Sequence, residues 1–318
     1  MAAFLGAHRD GAPVALATSG TAAGPRSVVR TTASWVGSFP TVARLSGLDV
    51  SSRLWLPGPL GSTMNLFAAV HATTLGVPLV ATPAEASHAV LTPAALAALL
   101  DGDTPAGLTV VVAGDRLSRG LHDRAVAAGL VVHHYYGAAE LSFVAWGAHA
   151  DDLTPFPGVD VVVRDGEVWV RTPYLCLGYD GPPGPLRTDP DGFASVGDRG
   201  VLADGRLLVS GRPDAVTVGG VTVEPADVEA LLRGAATGDV VVVAVPHPGL
   251  GQVLGAVLTD ADDLPLVRAA ARERLDGARR PRLWFELPTL PVTPAGKVDR
   301  AGVVSLVSGD DGRSRRLV

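Results

Sequence analysis

The chain has 318 residues, 47% of them hydrophobic, enough to bury a large core and more in keeping with two domains than with one. A net charge of −6 with no basic stripe excludes a nucleic-acid binder, since nothing would neutralise a run of phosphates. One cysteine, Cys176, excludes an intramolecular disulfide and thiolate metal clusters, and the absence of a signal peptide or of an apolar run near 18 residues points to a cytoplasmic protein with no membrane span.

Taken in order, Val14-Ala15-Leu16-Ala17 reads as a buried strand that delivers the loop Thr18 to Arg26. Thr31 or Thr32 can cap a helix with Trp35, Phe39 and Val42 on one face, which Pro40 should kink or end. Arg53 to Leu56 is a strand, and Thr63 to Leu75 a helix with Leu66, Ala69, Val70 and Thr73 inward, stopped by Gly76 and Pro78. Thr92-Pro93 opens a helix through Leu100, Thr109 to Val112 is a β-branched strand, and Ser118 caps a helix that Gly129 ends before the strand Leu130 to His133. This alternation predicts an α/β fold: a parallel sheet with flanking helices and ligands at the carboxyl ends of its strands. The adjacent pair His133 and His134 should split into one core and one exposed residue, because neighbours on a strand face opposite ways.

From Phe156 short strands and turns predict a β-rich subdomain, including a hairpin of Val201-Leu202 and Leu207 to Val209 around the Asp204-Gly205 turn. After Arg212 the pattern changes again. Pro225 opens a helix whose Asp227 and Glu229 complement its dipole, followed by the strand Val240 to Val245, a helix near Leu264 to Leu275 and the strand Leu283 to Glu286, which together make a smaller C-terminal α+β domain. The local excess of arginine at Arg268 to Arg282 and Arg313 to Arg316 reads as a solvated helix face and a frayed terminus.

Four stretches carry chemistry. In Thr18-Ser19-Gly20-Thr21-Ala22-Ala23-Gly24-Pro25-Arg26, Gly20 and Gly24 let backbone N–H groups approach an anion while Ser19 and Thr21 add hydroxyls, which suits a triphosphate. The Gly-Lys-Ser/Thr ending of a Walker motif is absent, and a plain Gly/Ser turn is the other reading. Asp198 and Arg212, each after a glycine, flank the hairpin and can both hydrogen-bond a sugar diol, or form a surface salt bridge. Tyr136-Gly137-Ala138-Ala139-Glu140 follows a strand end. Lys297, the sole lysine, sits in the flexible loop Pro294-Ala295-Gly296-Lys297, where an exposed surface lysine is the alternative.

With these four blocks in this order, nearly the whole chain resembles the adenylate-forming acyl-CoA synthetases, relatives of the o-succinylbenzoate-CoA, fatty-acid-CoA and aryl-CoA ligases and of peptide-synthetase adenylation domains. The resemblance implies acid activation by ATP through acyl-AMP, then thioester formation with CoA, or instead transfer to a carrier protein or amine, or a non-catalytic nucleotide-binding homologue. It implies that Thr18, Ser19, Gly20, Thr21, Gly24 and Arg26 hold the phosphates, that Tyr136 flanks the adenine with Gly137 and Ala138 also in the nucleotide site, and that Asp198 and Arg212 hold the ribose. Glu140 would hold Mg²⁺, Lys297 would serve adenylation, Asp214 would be a hinge, and Gly219 and Gly220 would line the thiol's path. The acyl pocket is expected around Met64, Asn65, Val112, Ala113, Gly114 and Tyr135, with no basic residue for a second carboxylate. The domains are expected at 1–213 (core), 214–310 (lid) and 311–318 (tail). Ala22, Ala23, Arg26 and Ala139 depart from the family pattern, and a His or aromatic gate is missing between Leu56 and Asn65. Only 17 residues precede Thr18, where relatives carry a whole subdomain, so a short form is expected, its open sheet flank shielded by self-association or a partner.

Overall fold

The computed structural model describes residues 1–18, 26–181, 183–211, 216–218, 221–223, 225–247, 251–275, 277–294, 296–309 and 312–317. The chain divides into two compact units, Met1–Val209 and Ser210–Val318. The first opens with α1 (Ala2–Arg9), the hairpin strands β1 (Pro13–Thr18) and β2 (Arg26–Thr31), α2 (Ala33–Val36), α3 (Phe39–Ser46), β3 (Leu54–Trp55), α4 (Thr63–Leu75) and β4 (Leu79–Val80). It continues with β5 (His88–Leu91), α5 (Pro93–Leu100), β6 (Thr109–Val112), α6 (Arg119–Ala127), β7 (Val131–Ala138), β8 (Ser142–Gly147) and β9 (Thr154–Pro155). The β-rich part follows as β10 (Asp160–Arg164), β11 (Glu167–Arg171), β12 (Gly178–Asp180), β13 (Arg187–Thr188), β14 (Ala194–Ser195), β15 (Arg199–Ala203) and β16 (Arg206–Gly211).

The central sheet has the order β4-β3-β5-β6-β7-β8-β9. Its first five strands are parallel and the last two antiparallel. The run Thr109-Val110-Val111-Val112 has no polar alternation because both of its faces are covered. Val110 and Val112 pack with Leu96, Leu99 and Ala125 of α5 and α6, while Val111 points to the opposite layer with Phe67 and Val70 of α4. Local signals set the helix ends. Ser62, Thr92 and Ser118 accept hydrogen bonds from the N–H groups of Asn65, Ala95 and Leu121, and Gly76 closes α4 at φ 74°.

Several expectations are corrected. The helix expected from Thr31 or Thr32 is broken into α2 and α3, with Pro40 in the first turn of the second, where its missing N–H costs nothing. Of Pro13 to Ala17 in β1 only Leu16 is buried, because the strand lies at the edge of a separate antiparallel sheet, β1-β2-β12. Thr73 is exposed and bonds back to the Ala69 carbonyl, whereas Phe67 to Ala72 are all buried, since α4 is enclosed nearly all round. His134 is buried, its Nδ1 donating to the Val112 carbonyl, and His133 is half-buried near the Trp146 ring rather than exposed.

The second unit holds β17 (Val216–Val218), β18 (Val221–Val223), α7 (Pro225–Arg233), β19 (Val240–His247), β20 (Gly251–Leu258), α8 (Leu264–Arg274), β21 (Leu283–Glu286), α9 (Arg300–Ser308) and β22 (Arg315–Arg316). Its main sheet runs β19-β20-β21-β22, and β19 repeats the two-faced logic, with Val240 and Val242 toward α7 and α8 and Val241, Val243 and Val245 toward α9. The expected frayed end instead pairs with β21, Arg315 also donating to Glu286 at 2.6 Å. On the arginine-rich face, the Arg268 guanidinium lies 5.5 Å from the centre of the Trp284 ring. Glu229 is not a dipole-complementing surface residue. It is fully buried, its Oε2 accepting from the Val242 N–H at 2.8 Å and its carboxylate gripped bidentately by Arg300 at 2.8 and 2.9 Å, with Arg233 beside it. Burial works to raise the Glu229 carboxyl, but Arg233 and Arg300 outweigh it and hold the group below the usual range.

Candidate active site

Tyr136 to Ala138 do not form a loop. They belong to β7, prolonged beyond its parallel neighbour because β8 supplies antiparallel partners, with a register shift between Tyr136 and Gly137. At Gly137 a Cβ would lie 2.3 Å from the Ser142 carbonyl oxygen, so this close approach requires glycine. Alternation along β7 sends Tyr135 and Tyr136 to opposite faces. The Tyr136 hydroxyl donates to Asp198 Oδ2 at 2.7 Å, joining two predicted site residues 62 positions apart. Asp198 is itself fixed, since its carbonyl accepts from the Val168 N–H at 2.9 Å just before β15. The Asp204-Gly205 turn that follows has φ of 50° and 74°, as the hairpin signal required.

Glu140 sits in the tight turn between β7 and β8 and is buried. Its Oε1 accepts from the Tyr179 hydroxyl at 2.9 Å, and its carbonyl accepts from the Cys176 N–H at 2.9 Å and from Arg30 Nη2 at 3.4 Å. Tyr179 belongs to β12 and Arg30 to β2, so the sheet that carries the β1–β2 hairpin is locked onto the Glu140 turn. Arg30 is fully buried; Nη2 also donates to the Tyr174 carbonyl at 3.0 Å, while Nε and Nη1 have no hydrogen-bond partner among the described residues. Burial lowers its guanidinium to about 10 against the favourable charges of Cys176 and Glu140. Burial and the Glu140 charge both push the Tyr179 phenol up, so it stays a hydrogen-bond donor. Among the described residues no group of three or more His, Cys, Asp or Glu could hold a metal ion. One hard carboxylate still fits a Mg²⁺ ion that takes its remaining ligands from phosphates and water.

A second feature adjoins this one. Thr63 Oγ1 donates to the Ala17 carbonyl at 3.2 Å, tying the start of α4 to the end of β1. Along α4, Met64, Phe67, Ala68 and His71 form an i, i+3, i+4, i+7 stripe that walls an apolar cavity of about 40 Å³, closed opposite by Val111, Tyr135 and Phe143. Desolvation pushes the Tyr135 phenol up. Of the expected acyl-pocket residues Met64 and Tyr135 line this cavity, while Asn65, Val112, Ala113 and Gly114 do not. Asn65 turns its amide to the Pro59 carbonyl at 3.2 Å and packs on Gly58, because it is the N3 residue of a capped helix and faces the preceding loop. Gly114 has φ 88° and faces Thr92.

In the second unit Lys297 is exposed in a small β-turn: its carbonyl accepts from the Thr293 N–H at 2.7 Å, and Val292 bridges Val298. The turn leads into α9, capped by Asp299, whose Oδ1 accepts from Gly302 N–H at 3.0 Å, and held by the Arg300–Glu229 pair. Ser19, Gly20, Thr21, Ala22, Ala23, Gly24, Arg212, Asp214, Gly219 and Gly220 lie outside the described residues, and Thr18 and Arg26 are described only as strand ends. The sequence reading missed Arg30 and Tyr179, whose roles depend on partners over a hundred and 39 positions away respectively. It also missed Phe67, Ala68 and His71, which the helical period starting at Met64 could have found.

No family model matches the chain. It is 30% identical to the probable 2-succinylbenzoate–CoA ligase of Mycobacterium tuberculosis, over 95% of this chain and 86% of that one. The solved structure of a variant MenE of Escherichia coli with bound OSB-AMS superposes with a TM-score of 0.73 at 25% identity, covering 92% of this chain and 68% of the other. The amide bond synthetase McbA of Marinactinospora thermotolerans gives 0.71 at 26%, covering 93% and 69%. A mixed sheet between helices, a β-rich part, a C-terminal α+β unit and a mycobacterial CoA ligase matched along most of its length all agree: the chain belongs to the adenylate-forming superfamily, among its acyl-CoA synthetases.

Proposed function

We propose that the chain activates a monocarboxylic acid with a compact, uncharged apolar or aromatic tail. The carboxylate attacks the α-phosphorus of ATP to give acyl-AMP and pyrophosphate, and the CoA thiol then displaces AMP to give the thioester. The observation that carries the reading is the Tyr136–Asp198 hydrogen bond beside the Glu140 turn, which presents an aromatic face, a diol acceptor and a carboxylate on one hairpin and its neighbour. Asp198 with Arg212 holds the ribose, Tyr136, Gly137 and Ala138 border the adenine, and Thr18, Ser19, Gly20, Thr21, Gly24 and Arg26 meet the phosphates. Glu140 is the residue that would hold Mg²⁺, which offsets phosphate charge when bound. Lys297 brings positive charge during adenylation, Asp214 is the hinge of a lid spanning 214–310 on a core of 1–213, and Gly219 and Gly220 line the thiol's path. Among the described residues no Lys or Arg lines the cavity, which supports a tail without a second carboxylate. No helix among the described residues is long and apolar enough to cross a membrane.

Acid-dependent exchange of pyrophosphate into ATP, followed by thioester formation on adding CoA, tests this directly. No exchange with any of a broad panel of monocarboxylic acids overturns it. The likeness to McbA supports a second reading in which an amine takes the acyl group. Preformed acyl-AMP offered CoA and an amine separately divides the two.

A further inference from the structure

Arg30 is the largest fully buried side chain among the described residues, and a guanidinium is charged at any ordinary pH. Its Nε and Nη1 have no hydrogen-bond partner among the described residues, and its Cζ lies 5.7 Å from the centre of the Trp35 ring, which in turn stacks on Phe4 at 5.1 Å. The hydrogen bonding falls to Nη2, which donates to the Tyr174 carbonyl at 3.0 Å and to the Glu140 carbonyl at 3.4 Å. The Cys176 N–H closes the same junction on the Glu140 carbonyl at 2.9 Å, and the Leu177 N–H ties this segment back to the Val29 carbonyl at 2.7 Å.

Burying a guanidinium with so few partners is costly, and an apolar residue would fill the space without that cost. A group kept under such conditions calls for a use. From this junction we infer that Arg30 is a positioning residue, holding the Glu140 turn so that its carboxylate is set to receive the divalent cation of a metal–nucleotide complex. The inference rests on Glu140 being the cation-holding residue of the adenylating site proposed above. Loss of Arg30 should move the turn and spare the strand. β2 is paired on both sides, with β1 from Arg26 to Thr31 and with β12 from Ser27 to Val29. The Glu140 backbone, by contrast, is reached from outside its own hairpin only by Arg30 and the Cys176 N–H among the described residues. Losing the positive charge alone would tighten cation binding, whereas losing the support would weaken it. Groups that orient a metal's ligands typically carry about ten- to a hundredfold in affinity, so the support should dominate.

The test uses the full chain and α,β-methylene-ATP, which cannot be adenylated, so it needs no turnover. Calorimetric titration gives the affinity for this analogue with and without Mn²⁺, and the ratio of the two reads the contribution of the metal. In Arg30→Met, which keeps an apolar stem beside Trp35, the ratio should fall about tenfold while the metal-free affinity stays within about twofold. In Arg30→Lys, whose compact ammonium keeps the charge with a shorter reach, it should fall about threefold. Beside Glu140→Gln neither substitution should change the ratio by more than about twofold, since a residue acting through Glu140 then has nothing to position. A folded Arg30→Met with the wild-type ratio or a higher one overturns the inference. So does an equal loss with and without metal, or a loss that persists beside Glu140→Gln. Where the methionine variant does not fold, a wild-type ratio in Arg30→Lys overturns it instead. The expected ratios in a protein that exchanges pyrophosphate with no acid uphold the role of Arg30 and sink the ligase reading. Acid-dependent exchange with an indifferent Arg30→Met does the reverse, and a wild type that binds neither form of the analogue sinks both.

Discussion

Tyr136 of β7 and Asp198, just before β15, meet through one charge-assisted hydrogen bond of 2.7 Å, so each orients the other. Asp198→Asn keeps the shape and removes the charge. If the pair positions ribose, the KM for ATP should rise about tenfold with a smaller fall in kcat, read from exchange kinetics; unchanged ATP kinetics would take Asp198 out of the site. Tyr179→Phe releases Glu140 Oε1 from its hydroxyl partner. Its expected signature is a several-fold change in the Mg²⁺ concentration needed for half-maximal exchange, whereas a uniform loss of stability with unaltered Mg²⁺ dependence would give Tyr179 a packing role alone. Lys297→Ala removes a charge that matters only while negative charge crowds the α-phosphate. Exchange should drop by about a hundredfold or more while supplied acyl-AMP is still consumed. Equal loss of both half-reactions is the result that defeats this.

Among the elements, the Lys297 turn and α9 depend on a buried carboxylate. Glu229 of α7 ties together β19 through the Val242 N–H and α9 through Arg300. Removing one partner of such a group leaves uncompensated buried charge, so Glu229→Gln should destabilise the second unit by about 3 kcal/mol or more, measured by urea unfolding followed at Trp284. The sign of the pH effect follows from the lowered carboxyl of the folded state. The stabilisation is fully present above the ordinary carboxylate pKa of the unfolded chain and is lost as pH falls below it through the depressed folded value. The glutamine variant should lack that acid-dependent step. A variant as stable as wild type and with the same acid profile would show that Arg233 and Arg300 find other partners at no cost.

The two compact units should fail in acid in a definite order. In Met1–Val209, burial holds His71 and His134 neutral down to about 4, whereas unfolded histidines bind protons below about 6.5. Between those values the unfolded state takes up protons that the folded state refuses, so stability falls as pH drops through the window, by up to about 3 kcal/mol for each histidine. The Glu229 contribution in Ser210–Val318 survives until the carboxylate range. Hydrogen exchange at stepped pH should therefore show β6 and β7 losing protection before β19 and β20; simultaneous loss, or the opposite order, contradicts this.

What could be read along the chain was whatever a few neighbouring residues settle. Gly76 ends α4, Ser118 caps α6, the Asp204-Gly205 turn closes its hairpin, and the valine runs of β6 and β19 announce strands. Caps, turns and side-chain period act over one or two turns of backbone, so they survive without knowledge of the fold. The order of the motif blocks was legible for the same reason, and it led to the right superfamily. The joining of Tyr136 to Asp198, of Tyr179 and Arg30 to Glu140, and of Arg300 to Glu229 was not legible, because each bond spans 39 to 110 residues. Their existence depends on which strands become neighbours: β12 returning to pair with β2, far from its neighbours in sequence, is what sets Tyr179 beside Glu140. Likewise His71 was not among the inward residues expected of its helix, and only the packing of α3 and α4 against the sheet buries it, its Nε2 without a hydrogen-bond partner among the described residues, because hydrogen-bond satisfaction is a property of the assembled core and not of any segment within it.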